Sequence, residues 1–184
     1  MNSLEGQFLI AVPKLRDPGF YHSVVVLIRH NEEGAFGLTL NRPSGTPLEE
    51  VWSQISQNHQ CHWRQSLFTG GPVPGPLMVL HDDKRAGEME VIPKLYFTVD
   101  PDKLAELFDK PAARAQFYTG YCGWGAGQLE MELQVGSWIT VPASARHVFD
   151  ADAELWKTVT AEITSSAVIS ALHIKHIPPE ADNN

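Results

Sequence analysis

Tyr118-Thr-Gly-Tyr-Cys-Gly-Trp-Gly-Ala-Gly-Gln-Leu-Glu-Met-Glu-Leu133 decides how the rest of the chain is read. Gly120, Gly123, Gly125 and Gly127 crowd into it, with Tyr121 and Trp124 between them. Glycine at this density marks backbone that needs positive φ or the close approach of another group. A strand-like run, Ala115 to Tyr121, leads in. An amphipathic helical run, Gln128 to Gln134, leads out, with Leu129 and Leu133 as i, i+4 core partners and Gly136 as the stop. The segment 120–127 is therefore expected to be a constrained loop between a strand and a helix.

Working outward towards the N-terminus, short strands alternate with strong turn signals. Gln7 to Val12 reads as a strand, and Asp17-Pro18-Gly19 as a turn. Ser23 to Ile28 is an almost unbroken β-branched run, as in a strand covered on both faces. His30-Asn-Glu-Glu-Gly34 reads as a hairpin loop, with Ala35 to Leu40 as the returning strand. Thr46-Pro47-Leu48-Glu49 is a helix start, with Leu48, Val51, Trp52 and Ile55 on one stripe. Short strands are expected at Leu67–Thr69, Leu77–Leu80, Glu88–Ile92 and Lys94–Val99. A second helix follows, capped by Asp100, started by Pro101 and buried through Leu104, Leu107 and Phe108.

Beyond the glycines, Ser137 to Pro142 reads as a strand. Asp152 caps a further helix with Leu155, Trp156, Val159 and Ile163 on its stripe, weakened at Thr164-Ser165-Ser166. Grouped strands with helices between the groups predict an α+β domain. Its mostly antiparallel or mixed sheet is expected to be bulged and curled into a pseudo-barrel, with three or four helices around it. One domain spans 1–176, and the polar, proline-bearing end 177–184 is expected to be a mobile tail.

The totals restrict function. The chain has 184 residues, 43% of them apolar, enough for a core without disulfide or metal staples. Two cysteines, Cys61 and Cys122, with no basic-then-apolar leader, point to the cytoplasm. No apolar run has the length of a membrane span. A net charge of −8, with 14 Lys and Arg against 22 acids, argues against a nucleic-acid partner. His59, Cys61 and His62, with Cys122 as a fourth, match no usual metal-knuckle spacing, so neither metal nor cofactor is expected.

Chemistry is sparsely signalled. A strand, glycines and a helix start can cradle an anion, but the Lys-Ser/Thr of a nucleotide loop is missing after Gly127. Cys122 in a glycine setting has the look of a nucleophile, with His30, His81 or His147 as its base if folding brings one close. Adjacent acids such as Glu32-Glu33 and Asp82-Asp83 diverge on any regular element, so they do not form acid/base pairs by spacing. No catalytic residue set is assigned. The candidate binding residues are the polar and aromatic groups beside constrained loops: His30, Asn41, Arg42, Gly70, Gly71, Tyr121, Trp124, Gln128 and Glu130. If these loops converge, they line a groove for a small polar ligand or a protein partner.

Several segments in order carry a family resemblance. They are Gly6 to Pro13, Asp17 to Val26, His30 to Pro43, Thr69-Gly-Gly-Pro-Val73 and, most specifically, Gly120 to Glu130. Together, across roughly Ser3 to Trp156, they resemble the YqgE/AlgH family of small bacterial proteins. Cys122 stands where that pattern would carry a small residue. The resemblance implies a single α+β domain with a bulged pseudo-barrel sheet. It also implies an uncharacterised protein, some members carrying the label of transcriptional regulator. The leading expectation is a non-enzymatic domain that acts through binding, in a regulatory role. The alternatives are nucleotide or small-anion binding, or an enzyme, at the 120–127 loop, and direct DNA binding.

Overall fold

The β-branched run after the first turn forms β2 (Val24–Asn31), and its side chains alternate between two hydrophobic clusters. Val24, Val26 and Ile28 join one cluster with Phe8 and Ile10 of β1 (Gln7–Ala11). Val25 and Leu27 join the other with Leu9 and Ala11. Both faces of the sheet are covered here, which is why no polar residue interrupts the run. The computed structural model describes residues 3–55, 61 and 63–174, the last seven by backbone alone. His59 and His62 of the weighed metal set, and the expected tail 177–184, lie outside the described residues.

In chain order the remaining elements are β3 (Gly34–Thr39), β4 (Pro43–Pro47), α1 (Leu48–Ile55), β5 (Ser66–Thr69), β6 (Val73–His81), β7 (Met89–Ile92) and β8 (Leu95–Thr98). Then come α2 (Pro101–Asp109), β9 (Ala115–Gly125), α3 (Gln128–Gln134), β10 (Trp138–Pro142), α4 (Ala145–Phe149) and α5 (Leu155–Ile174). The fold is a single α+β domain. Its main path runs β10-β1-β2-β3-β9-β6-β8-β7, with β4 and β5 branching from β9. Neighbouring strands are antiparallel except for β5 and β9, so the sheet is mixed, as expected. Register shifts in β2–β3, β4–β5, β6–β9 and β7–β8 bulge the strands and curl the sheet into a half-barrel.

The long strand β9 holds the halves together. Its first part pairs β6 on one edge and β5 on the other, while residues 122–125 pair β3. Gly120, with φ +72°, lies between the two pairings. The expected 120–127 loop is thus strand as far as Gly125, because Gly34 to Gly37 opposite it complete the ladder. Only Ala126 and Gly127 turn the chain into α3, which keeps its expected bounds.

Other boundaries moved for similar reasons. Thr46 and Pro47 end β4 and do not cap α1, which begins at Leu48. His30 and Asn31 belong to β2 rather than to a loop, since their pairing with Ala35 and Gly34 extends the hairpin. Thr164-Ser165-Ser166 does not break α5; the Thr164 hydroxyl bonds back to the Thr160 carbonyl at 2.9 Å and the helix continues. The short helix α4, capped by Ser144, was not expected. By contrast α2 follows its sequence signals, with Asp100 accepting from the Asp102 and Lys103 amides. Trp52 of α1 lies flat on Phe108 of α2, ring centroids 3.6 Å apart.

One buried polar chain is expected to make the fold acid-sensitive. His81 is fully buried; its Nδ1 accepts from the Asp83 amide and its Nε2 contacts the Thr98 hydroxyl at 2.9 Å. That hydroxyl donates to the Ala86 carbonyl at 2.7 Å, so Nε2–H is the donor to Thr98. Burial holds the His81 pKa below its ordinary value of 6.5. The unfolded chain then binds a proton that the folded chain refuses, and stability falls as pH drops through 6.5 towards the folded value. Urea midpoints between pH 8 and pH 5 are expected to decline, and His81→Asn to flatten that slope. An unchanged slope in the variant would remove His81 as the cause.

Candidate functional site

The Asp17 turn builds the first wall of the site. Asp17 accepts through its carbonyl from the Phe20 and Tyr21 amides, at 3.0 and 2.8 Å, and through its carboxylate from Gly19 at 2.8 Å. The turn ends in His22, a non-glycine residue with φ +53°. Such a backbone persists only when its surroundings hold it. Asn41, 2% exposed, supplies that hold: its Nδ2 donates to the His22 carbonyl at 2.8 Å, and its Oδ1 accepts from the Val24 amide at 3.0 Å. Arg42 donates from Nη2 to the Tyr21 carbonyl and to the Ser23 hydroxyl.

Helix α5 supplies the second wall. Trp156 donates its indole N–H to the Ala11 carbonyl at 2.7 Å, which pins the ring over the turn. His22 is then sandwiched: its centroid lies 3.8 Å from Tyr21 and 3.8 Å from Trp156, with interplanar angles of 20° and 13°. Tyr21, His22, Arg42, Trp156 and Lys157 line a cleft of about 430 Å³. The Lys157 ammonium pairs with Glu154 at its rim. Arg42 is different. Among the described residues no carboxylate pairs with it, and partial burial lowers its pKa from the ordinary value.

Two sequence segments that carry the family resemblance thus meet here, Asp17 to Val26 and the Asn41-Arg42 end of His30 to Pro43. Comparison with known proteins bears on the same point. The AlgH-like family model (DUF179) matches residues 8–167. The chain belongs to the AlgH-like family. A UPF0301 protein of Myxococcus xanthus is 39% identical over 165 residues, covering 86% of this chain and 90% of that one. One from Xanthomonas campestris is 41% identical over 167 residues, covering 87% and 89%. The solution structure of the Pseudomonas aeruginosa AlgH protein superposes with a TM-score of 0.72 at 30% identity, over 100% of this chain and 99% of that one. A Corynebacterium diphtheriae protein, DIP2367, shares the fold with a TM-score of 0.68 at 23% identity, over 86% of each chain.

Within this AlgH-like chain eight of the nine residues singled out from sequence fall at the two ends of β3. Asn41, Arg42, Gly70 and Gly71 lie beyond its C-terminal end, where Gly70 accepts from Thr39 and Thr69 donates to Arg42. His30, Trp124, Gln128 and Glu130 gather at the β2–β3 hairpin end. Tyr121 sits between, against Phe36. Only Arg42 of the nine lines the cleft. His22, Trp156 and Lys157 were not singled out. The Phe20-Tyr-His22 run beside a proline turn was their one signal, while Trp156 read as part of an apolar stripe.

The hairpin end is saturated with internal bonds. His30 Nδ1 accepts from the Leu4 amide at 3.0 Å, so Nε2 carries the proton and donates to Glu130 Oε1 at 2.6 Å. Neither ring nitrogen is free to act as a base. The backbone N–H of Glu130 itself, and then His30, hold the Glu130 carboxyl below its ordinary value. Gln128 Oε1 accepts from the Gly125 amide at 3.1 Å, taking an N–H that an anion cradle would need. Glu132, not singled out from sequence, accepts both the Trp124 and Trp138 indole N–H groups, at 3.0 and 2.8 Å.

Cys122 does not meet the requirements of a nucleophile. The thiol is fully buried, 3.2 Å from the Thr39 hydroxyl and 3.3 Å from the Gly70 carbonyl, and burial pushes its pKa up to about 11. None of the three histidines weighed as its base is among these partners. In native protein at neutral pH, Cys122 is expected to stay unlabelled by a thiol reagent until denaturant is added, with labelling confined to the half-buried Cys61. Mass mapping of the modified peptide checks this, and rapid native labelling of Cys122 would contradict it. Among the described residues no three His, Cys, Asp or Glu side chains are grouped to hold a metal ion. No helix there is long and apolar enough to cross a membrane.

Proposed function

We propose that this protein acts by binding a small anionic ligand in the cleft between the Asp17–His22 turn and α5, in a regulatory rather than a catalytic role. The half-buried Arg42 guanidinium, without a carboxylate partner among the described residues, is the observation that carries this reading. Taking a cation partly out of water costs free energy that a fixed anion would return. Arginine also presents N–H donors in the planar fork suited to phosphate or carboxylate. The Tyr21 carbonyl and Ser23 hydroxyl take both N–H groups of Nη2 and so hold the guanidinium in position, leaving the Nη1 and Nε donors to meet the anion.

A thermal-shift series with phosphate, sulfate and small carboxylates tests the reading. A ligand at a hundredfold its dissociation constant adds about 2.7 kcal/mol, visible as a raised melting temperature. Arg42→Ala is expected to abolish the shift. Because Arg42 also braces the turn, Lys157→Glu serves as a second variant that leaves the Arg42 hydrogen bonds in place; it is expected to weaken the shift. A wild-type protein that no anion stabilises, or an Arg42→Ala protein stabilised equally, would overturn the reading.

A further inference from the structure

The cleft at Arg42 does not end at Trp156. A second, shallow cleft of about 500 Å³ lies along α5, lined by Pro13, Trp156, Lys157, Thr160, Ala161 and Thr164 among others. The two clefts share Trp156 and Lys157. His22 covers one face of the indole at 3.8 Å, and the Ala11 carbonyl fixes its N–H edge. Trp156, the last ring of the Tyr21–His22–Trp156 ladder, thus lines both clefts. A cation-bearing pocket therefore adjoins a fixed aromatic platform, with Lys157 on the boundary between them.

We propose that the ligand is a mononucleotide, its base laid on Trp156 in the second cleft and its phosphate set on Arg42 and on Lys157, whose ammonium it shares with Glu154. The proposal rests on the anion-binding reading of the Arg42 cleft and adds the ring. Base–aromatic stacking needs only a fixed π-face, which the indole hydrogen bond provides. The surroundings offer little to tell one base from another. Of the three hydroxyls lining this cleft, Thr160 donates to the Trp156 and Lys157 carbonyls and Thr164 to the Thr160 carbonyl, so only Ser165 is left to meet a base edge. Purines, with more ring to stack, then bind more tightly than pyrimidines, and adenine and guanine bind alike. A long nucleic-acid strand is disfavoured by the chain's net charge of −8.

Calorimetric titration of the full chain with adenosine monophosphate, ribose 5-phosphate, inorganic phosphate and a single-stranded oligonucleotide tests this. Adenosine monophosphate is expected to bind about tenfold more tightly than ribose 5-phosphate, the increment of one stacked base. Ala161→Trp, at an exposed position on the second cleft, fills the ring site without touching the core. It is expected to bring adenosine monophosphate down to the affinity of ribose 5-phosphate, while Arg42→Ala weakens both. Equal wild-type affinity for the two ligands would overturn the nucleotide assignment and leave the anion reading standing. Failure of every phosphate compound to bind would overturn both. Tighter binding of the oligonucleotide, with a steep salt dependence, would replace the mononucleotide by a nucleic-acid strand.

Discussion

Gly34→Ala is expected to cost about 3 kcal/mol or more of folding stability, at the severe end of single substitutions, whereas Gly125→Ala, at the residue paired with it, is expected to be near neutral. Gly34 opens β3 with φ +136°, outside the range L side chains adopt, and an added Cβ would lie 2.1 Å from the Trp124 carbonyl oxygen. Relief would require β3 and β9 to separate at the junction of the two half-sheets. Gly71 gives an independent case without positive φ: its added Cβ would meet the Tyr121 carbonyl carbon at 2.1 Å. At Gly125 the nearest atom is the Gln128 side-chain oxygen at 3.9 Å, ordinary contact, so an alanine fits. Chemical denaturation of the three variants checks the order. Comparable losses at Gly34 and Gly125 would mean that glycine density, rather than strand approach, governs the segment.

Removing the Glu132 carboxylate is the second large effect. Its Oε2 accepts from both Trp124 and Trp138, each 5% exposed, while Oε1 accepts from Gln128. Phe20 closes the group, stacked on Trp124 at 5.9 Å and edge-on to Trp138 at 5.3 Å. Glu132→Ala leaves two largely buried indole N–H groups without an acceptor, each costing about 1–3 kcal/mol. The expected loss is about 3 kcal/mol, with a changed tryptophan emission spectrum. Glu132→Gln keeps one side-chain oxygen for both indoles but sets an N–H₂ group against the Gln128 amide. It is expected to lose only about 1 kcal/mol, since both indoles keep their acceptor and the Gln128 flip that restores the contact gives up only the exposed bond to the Gly125 amide. Equal losses in the two variants would show that volume, not the acceptor, is what matters at this position. His30 belongs to the same end of the sheet, where it ties Leu4 and Glu130 of α3 to β2.

The anion reading and the nucleotide reading place function away from the glycine-rich segment. That segment is extreme in composition. The structure uses the composition to let β3, β5 and β6 approach β9 closely. The cleft residues are individually unremarkable in sequence. A histidine after a turn, an arginine before a proline and a tryptophan on a helical stripe become a site only when α5 lies across the Asp17 turn.

What the sequence determined by itself is the set of features with local causes. The Asp17-Pro18-Gly19 turn, the Asp100 cap with Pro101 behind it and the span of α3 each rest on interactions within a few residues, and the unbroken apolar run from Val24 to Ile28 is itself the mark of a strand covered on both faces. The α+β class and curled sheet followed from how those units are grouped. Tertiary structure alone decided that β9 runs on to Gly125, because only the ladder with β3 makes so glycine-rich a segment extended. It alone decided that Glu132 lies beneath two indoles, that Cys122 is sealed in the core, and that Trp156 stacks on His22. The physical reason is range: turns, caps and side-chain periodicity act between near neighbours in the chain. A ladder register, a buried acceptor or a stacked ring depends on a partner brought close only by the completed fold.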